Sequence, residues 1–139
     1  MKKIIYIAAV ITDSTISAEN FDVSQFPNKY FHHCTVKFGV SELPAFIGRE
    51  VEFEVTGMHV DEAACALTGK ILDKEIKDYM DANGQVAHIT VATSEGVKPV
   101  YSNTLIANVE AIPVKPVRIK MKVGAFVVND DDTTSWIFE

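Results

Sequence analysis

The sequence predicts an α+β fold dominated by antiparallel strands. Apolar, β-prone runs of strand length recur along the chain between Gly, Pro, Asn and Asp clusters. One run, Val51 to Thr56, alternates Val51, Phe53 and Val55 against Glu52, Glu54 and Thr56, the pattern of a half-solvated antiparallel strand. Helical spacing is confined to short stretches between the strands, and interrupted antiparallel strands with a few helices make α+β. With 139 residues, 47% hydrophobic and 23% charged, the chain is expected to form a single domain over residues 1–139 with a core of its own.

The elements follow in order. Lys3 to Ile11, rich in isoleucine and valine, predicts a central strand, and Lys29 to Phe38 a second. Ser41 to Ile47, with Pro44, predicts a short helical turn. Ala63 to Ile71 is expected to pair with Val51 to Thr56. Leu72, Ile76, Tyr79 and Met80 then fall at helical spacing, with Asn83-Gly84 as the stop. Val86 to Thr93 is the next strand. Lys98 to Asn103 is a polar turn capping a short helix through Leu105 and Ile106. Val117 to Val128 and Ser135 to Phe138 close the chain as a hairpin, with Asp130-Asp131-Asp132 at its exposed turn.

Composition excludes several classes. A net charge of −6 argues against coating long duplex nucleic acid, which needs a broad cationic surface, but leaves room for a small anion in a local pocket. Met1-Lys2-Lys3 before Ile4 to Ile11 has the outline of a secretory leader, yet the apolar stretch stops at Asp13 without a clean cleavage pattern and reads as a first strand. No run reaches transmembrane length. Two cysteines, Cys34 and Cys65, fit buried thiols in a reducing, cytoplasmic compartment at least as well as one disulfide.

Two matching phrases carry the chemistry, Phe31-His32-His33-Cys34-Thr35-Val36 and Val86-Ala87-His88-Ile89-Thr90-Val91. Each sets a histidine two residues before a threonine in a strand-like run, so both polar side chains share one face while Cys34, Val36, Ile89 and Val91 take the other. An imidazole titrates near pH 6.5, so one of a facing pair can accept a proton from a nucleophile while the other donates one to a leaving oxygen. The threonine hydroxyls can hold the non-bridging oxygens of a phosphate. Together these describe phosphodiester cleavage without a metal.

His33-Cys34-Thr35-Val36 and His88-Ile89-Thr90-Val91, 55 residues apart, resemble the paired His-x-Thr/Ser-x signature of the 2H phosphoesterase superfamily at every position. The stretch from Val86 through Asn103 is similar to small RNA-repair-like members of phages and bacteria. The resemblance implies a bilobal fold, two antiparallel sheets forming a concave cleft with a few flanking helices and one motif on each side. It implies His33 and His88 as the acid–base pair and Thr35 and Thr90 as the phosphate-binding hydroxyls, with no cofactor and no metal. The implied reactions are on 2′,3′-cyclic phosphates, cyclic nucleotides or 2′-5′ linkages, in RNA repair or in erasing nucleotide signals. In a viral chain that would be immune evasion in the host cytoplasm. The implied partner is a small nucleotide or an RNA end, with no duplex DNA and no membrane. A catalytically silent nucleotide-sequestering protein is the alternative, and an interaction domain with coincidental motifs is a third reading.

Other residues divide between roles. Lys37 shares the face of His33 and Thr35 by alternation and can neutralise a phosphate or stand as a solvated strand-end lysine. Lys98, Tyr101 and Ser102 follow the second motif in a turn able to return over the cleft, with Tyr101 either stacking on a base or packing. Lys29 and Tyr30 precede the first motif, where alternation does not place them. His32 is expected on the core side of a regular strand, a bulge exchanging its role with that of His33. His59, with no matching threonine, reads as surface or structural. No CxxC or HxxxH spacing suggests zinc.

Overall fold

The computed structural model describes residues 3–139. Met1 and Lys2, which supply the basic start weighed above as a leader, lie outside the described residues. Eight strands and two α-helices follow one another: β1 (Lys3–Ile11), β2 (Asn28–Lys29), β3 (His33–Phe38), β4 (Glu50–Val60), β5 (Ala64–Ile71), α1 (Lys74–Ala82), β6 (His88–Thr93), α2 (Tyr101–Asn108), β7 (Ile112–Val128) and β8 (Thr134–Ile137), with a 3-10 turn at Ala18–Phe21. The α+β class stands.

The two separate sheets expected from the resemblance are instead joined in one. Pairing runs β1-β3-β6-β5-β4-β7 and closes through β1–β7, making a six-stranded antiparallel barrel, with β8 added to β7 and β2 to β6. The strand responsible is β7, 17 residues long. It runs beside β1 from Ile11↔Met121 to Lys3↔Val128, beside β4 from Met58↔Ile112 to Glu50↔Lys122, and beside β8 from Ala125↔Ile137 to Val128↔Thr134. A strand long enough to serve both halves leaves no gap between them. Its first residues escape the sequence pattern because Pro113 and Pro116 interrupt it. Likewise β4 outruns Val51 to Thr56 because its register shifts between Val55 and Gly57 against both neighbours, and a Cβ at Gly57 would meet the Thr68 hydroxyl at 3.0 Å.

The barrel interior is the core, filled by alternate residues of every strand of the ring, among them Ile7, Cys34, Phe53, Leu67, Ile89 and Ile119, all fully buried. Helix α1 buries Ile76 and Met80; the Asp73 carboxylate accepts from the Ile76 amide at 3.0 Å as its N-cap and pairs with Arg49 at 3.1 Å. Helix α2 lies against β5, with Leu105 packed on Ala64 and Ala66, whose small side chains admit it closely. Among the described residues no helix is long and apolar enough to cross a membrane.

Candidate active site

Strands β3 and β6 pair antiparallel at Cys34↔Ile89, both fully buried in the barrel. The flanking residues therefore point outward, with His33 across from Thr90 and Thr35 across from His88. Each motif's histidine faces the other motif's threonine, so His33 and His88 occupy diagonal positions of the strand pair, about 7–8 Å apart along the backbone and within reach of one ligand between them. On the next strands out, Val10 and Ala8 lie beside His33 and Thr35, and Thr68 and Ala66 beside His88 and Thr90. All four motif side chains line one cavity of about 490 Å³, walled by Tyr30, His32, Phe38, Gln85 and the Pro99, Val100 and Asn103 segment. That size suits a nucleotide.

The polar groups are individually oriented. His88 donates from Nδ1 to the Val86 carbonyl at 3.0 Å, which leaves Nε2 as its reactive nitrogen. Thr90 Oγ1 lies 2.7 Å from the hydroxyl of Ser102, itself fully buried on α2. His33 stacks on Tyr6 with ring centroids 5.3 Å apart, and its Nδ1 meets His32 Nδ1 at 2.9 Å. Among the described residues no lysine, arginine or carboxylate lines the cavity, which leaves the imidazoles as its titratable cations. Burial, with the neighbouring His32 and His88, pushes the His33 imidazole down to about 4. Burial also lowers His88, but the Val86 carbonyl opposes the shift by favouring the cation. Cys34, behind the pair, is pushed up to about 12 by burial and is inert in the core. Among the described residues, no three His, Cys, Asp or Glu side chains converge as a metal site.

Of the sequence candidates, His33, Thr35, His88 and Thr90 come together in the cavity, and Tyr30 joins them. Lys37 does not line it. Tyr6 pairs with Phe38, Ile7 with Lys37 and Ala8 with Thr35, so Val36 is an extra residue on β3. This bulge flips the alternation, and Phe38, 59% exposed, takes the position expected of Lys37. Lys98 is exposed outside the lining. Tyr101 packs beside Leu105 and donates its hydroxyl to Asp61 at 2.6 Å, and it is not among the residues that line the cavity. Ser102 stands behind Thr90, outside the lining, and reaches the site only through that threonine. The Lys29 ammonium is held by the Phe26 carbonyl.

His32 is exposed in the cavity wall, where a regular strand would have turned it to the core. Phe31 adopts φ 62°, so the alternation begins only at His33. His59 is buried and structural, donating from Nδ1 to the Val109 carbonyl at 2.7 Å and meeting the Thr68 hydroxyl at 3.1 Å with Nε2. Sequence reasoning missed Trp136, which reaches back from β8 to pack on His32 and His33 at 5.6 and 6.1 Å between centroids. No local pattern links a tryptophan near the end of the chain to a histidine a hundred residues earlier.

One family model, described as the fungal tRNA ligase phosphodiesterase domain, matches residues 9–124, a span that includes both histidine phrases. No curated protein and no solved structure matches the chain.

Proposed function

The chain belongs to the fungal tRNA ligase phosphodiesterase domain family, a domain of the 2H phosphoesterase class, and we propose that it cleaves phosphodiester bonds of small nucleotides with His33 as general base and His88 as general acid. The substrate class is a 2′,3′-cyclic phosphate, a cyclic oligonucleotide or a 2′-5′ linkage. The observation that supports this reading is the β3–β6 register, which puts two histidines at diagonal positions, each opposite a threonine, with all four side chains lining one cavity.

The roles follow from the partners of each ring. His33, pushed to about 4, is neutral near pH 6 and can take a proton at Nε2 from the nucleophile, water on a cyclic phosphate and water or a ribose hydroxyl on the other linkages. His88 keeps a carbonyl on Nδ1 that supports its cation, so its Nε2–H is the proton delivered to the leaving oxygen. Thr90 Oγ1 is held by the Ser102 hydroxyl at 2.7 Å and lies 3.5 Å from the Pro99 carbonyl; when Ser102 donates, the Thr90 hydrogen can turn from that carbonyl to a non-bridging phosphate oxygen, and Thr35 serves the other. Charge that builds on the phosphate is met by hydroxyl donors in a site without carboxylates.

The test is turnover in chelator of 2′,3′-cyclic mononucleotides, cyclic di- and trinucleotides and 2′-5′ oligoadenylate, by wild type, His33→Ala and His88→Ala. Cleavage of one class, lowered by at least about 100-fold in both folded variants, is the expected result. Activity abolished by chelator, or retained in either variant, overturns the reading.

A further inference from the structure

We propose that His32 is a positioning residue that holds His33 in the tautomer whose Nε2 is free to accept a proton. The two Nδ1 atoms lie 2.9 Å apart with the rings at 85°, an edge-on geometry in which one nitrogen must donate and the other accept. If His32 donates, His33 carries its remaining proton on Nε2 and presents a donor to the nucleophile, which is useless for a base. If His33 donates, its Nε2 lone pair opens to the cavity.

The environment of His32 favours the second arrangement. His32 is exposed, so its Nε2–H is free to meet water, and the Nε2–H form is the one imidazole side chains intrinsically prefer. Adopting it leaves the His32 Nδ1 lone pair aimed at His33. Trp136 from β8 packs on both rings and Tyr6 from β1 stacks on His33, fixing their planes so that the contact persists as the proton moves. Protonation of His33 at Nε2 makes its Nδ1–H a stronger donor to the His32 Nδ1, so the contact tightens as the base takes up its proton. Tyr6 and His88 are the other titratable groups facing His33. His32 thereby orients its neighbour as a carboxylate does in a hydrolytic triad, without adding negative charge beside the substrate phosphate.

The proposal deepens the function proposed above, and only its kinetic arm rests on that function. His32→Phe keeps an aromatic ring against Trp136 but removes the acceptor, whereas His32→Asn supplies an amide oxygen that can take the His33 Nδ1–H. In nitrogen-15 spectra of the imidazoles near pH 7, His33 is expected as the Nδ1–H tautomer in wild type and His32→Asn, shifting toward Nε2–H in His32→Phe. On a cleaved substrate, kcat of His32→Phe should fall about 10- to 100-fold with KM within about twofold, and His32→Asn should recover most of it. A His33 tautomer unmoved by His32→Phe overturns the proposal, as do two variants equally impaired with unchanged spectra. If wild type cleaves nothing, the proposed function fails, while the spectra still decide the role of His32.

Discussion

The pH profile is the sharpest consequence of the site. The perturbation is titration of the free enzyme, read as kcat/KM against pH in chelator. His33 must be neutral, and burial holds it down to about 4, so the acid limb should fall near pH 4. His88 must be protonated, and burial lowers it from its ordinary 6.5, so the alkaline limb should lie below pH 6.5. Activity therefore peaks on the acid side of neutrality, and at pH 7.5 fewer than about one His88 in ten carries its proton. Exchanging the two roles would keep the limbs but leave only a small fraction of the enzyme correctly protonated at any pH, because the base would then have to titrate above the acid. A stability measurement reads His33 independently. An unfolded chain binds protons to this histidine from pH 6.5 downward, the folded one only near 4, so folding free energy is lost as pH falls across that window. The loss is at most about 3 kcal/mol, and His33→Ala should flatten the slope of urea stability between pH 6.5 and 4 while abolishing turnover. A plateau of kcat/KM extending above pH 7.5, or a wild-type stability slope that His33→Ala leaves unchanged, would refute the electrostatic reasoning.

Three further outcomes are expected. Ser102→Ala removes the 2.7 Å bond to Thr90 and should lower kcat/KM about fivefold and the melting temperature by a few degrees, the worth of one buried hydrogen bond; unchanged kinetics would show that Thr90 is held by other contacts. Tyr101→Phe loses the bond to Asp61 and should cost stability, read by thermal melting, while KM stays put; a raised KM would return Tyr101 to the substrate side. Cys34 and Cys65 are buried, with thiols pushed up to about 12 and about 11, so a disulfide-exchange reagent should label neither until the protein unfolds, and rapid native labelling would contradict that burial.

How much of this was legible in the sequence depends on how regular each strand is. His33, Thr35, His88 and Thr90 were readable because period two holds from 33 to 35 and from 88 to 90, and each is flanked by a residue the barrel interior demands be apolar. One residue beyond that regularity the reading fails. The extra Val36 moved Phe38 into the place of Lys37, and the left-handed Phe31 turned His32 to the cavity; a bulge and a single dihedral leave no signature in polarity. Barrel closure was hidden for another reason: which strands meet is decided by the length of β7, and its prolines disguise that length. Helix α2 was foreseen, but whether Tyr101 faced the cleft or Asp61 turned on a rotation about the helix axis that eight residues do not specify.

Strand β7 also sets the order in which the molecule becomes safe from its own kind. Every motif side chain has been synthesised by Thr90, yet until Ile112–Val128 follows, β1 and β4 each present an unpaired backbone edge, and β1 spans some of the most apolar sequence in the chain. Such edges recruit strands from other molecules. The β4 edge is sealed by pairing from Met58↔Ile112 to Glu50↔Lys122, and the β1 edge by pairing out to Lys3↔Val128, which closes the longest loop among the paired strands and so carries the greatest entropic delay. A chain interrupted before β7 would hold the complete catalytic inventory and be prone to polymerise, whereas the finished barrel offers no long edge beside the site.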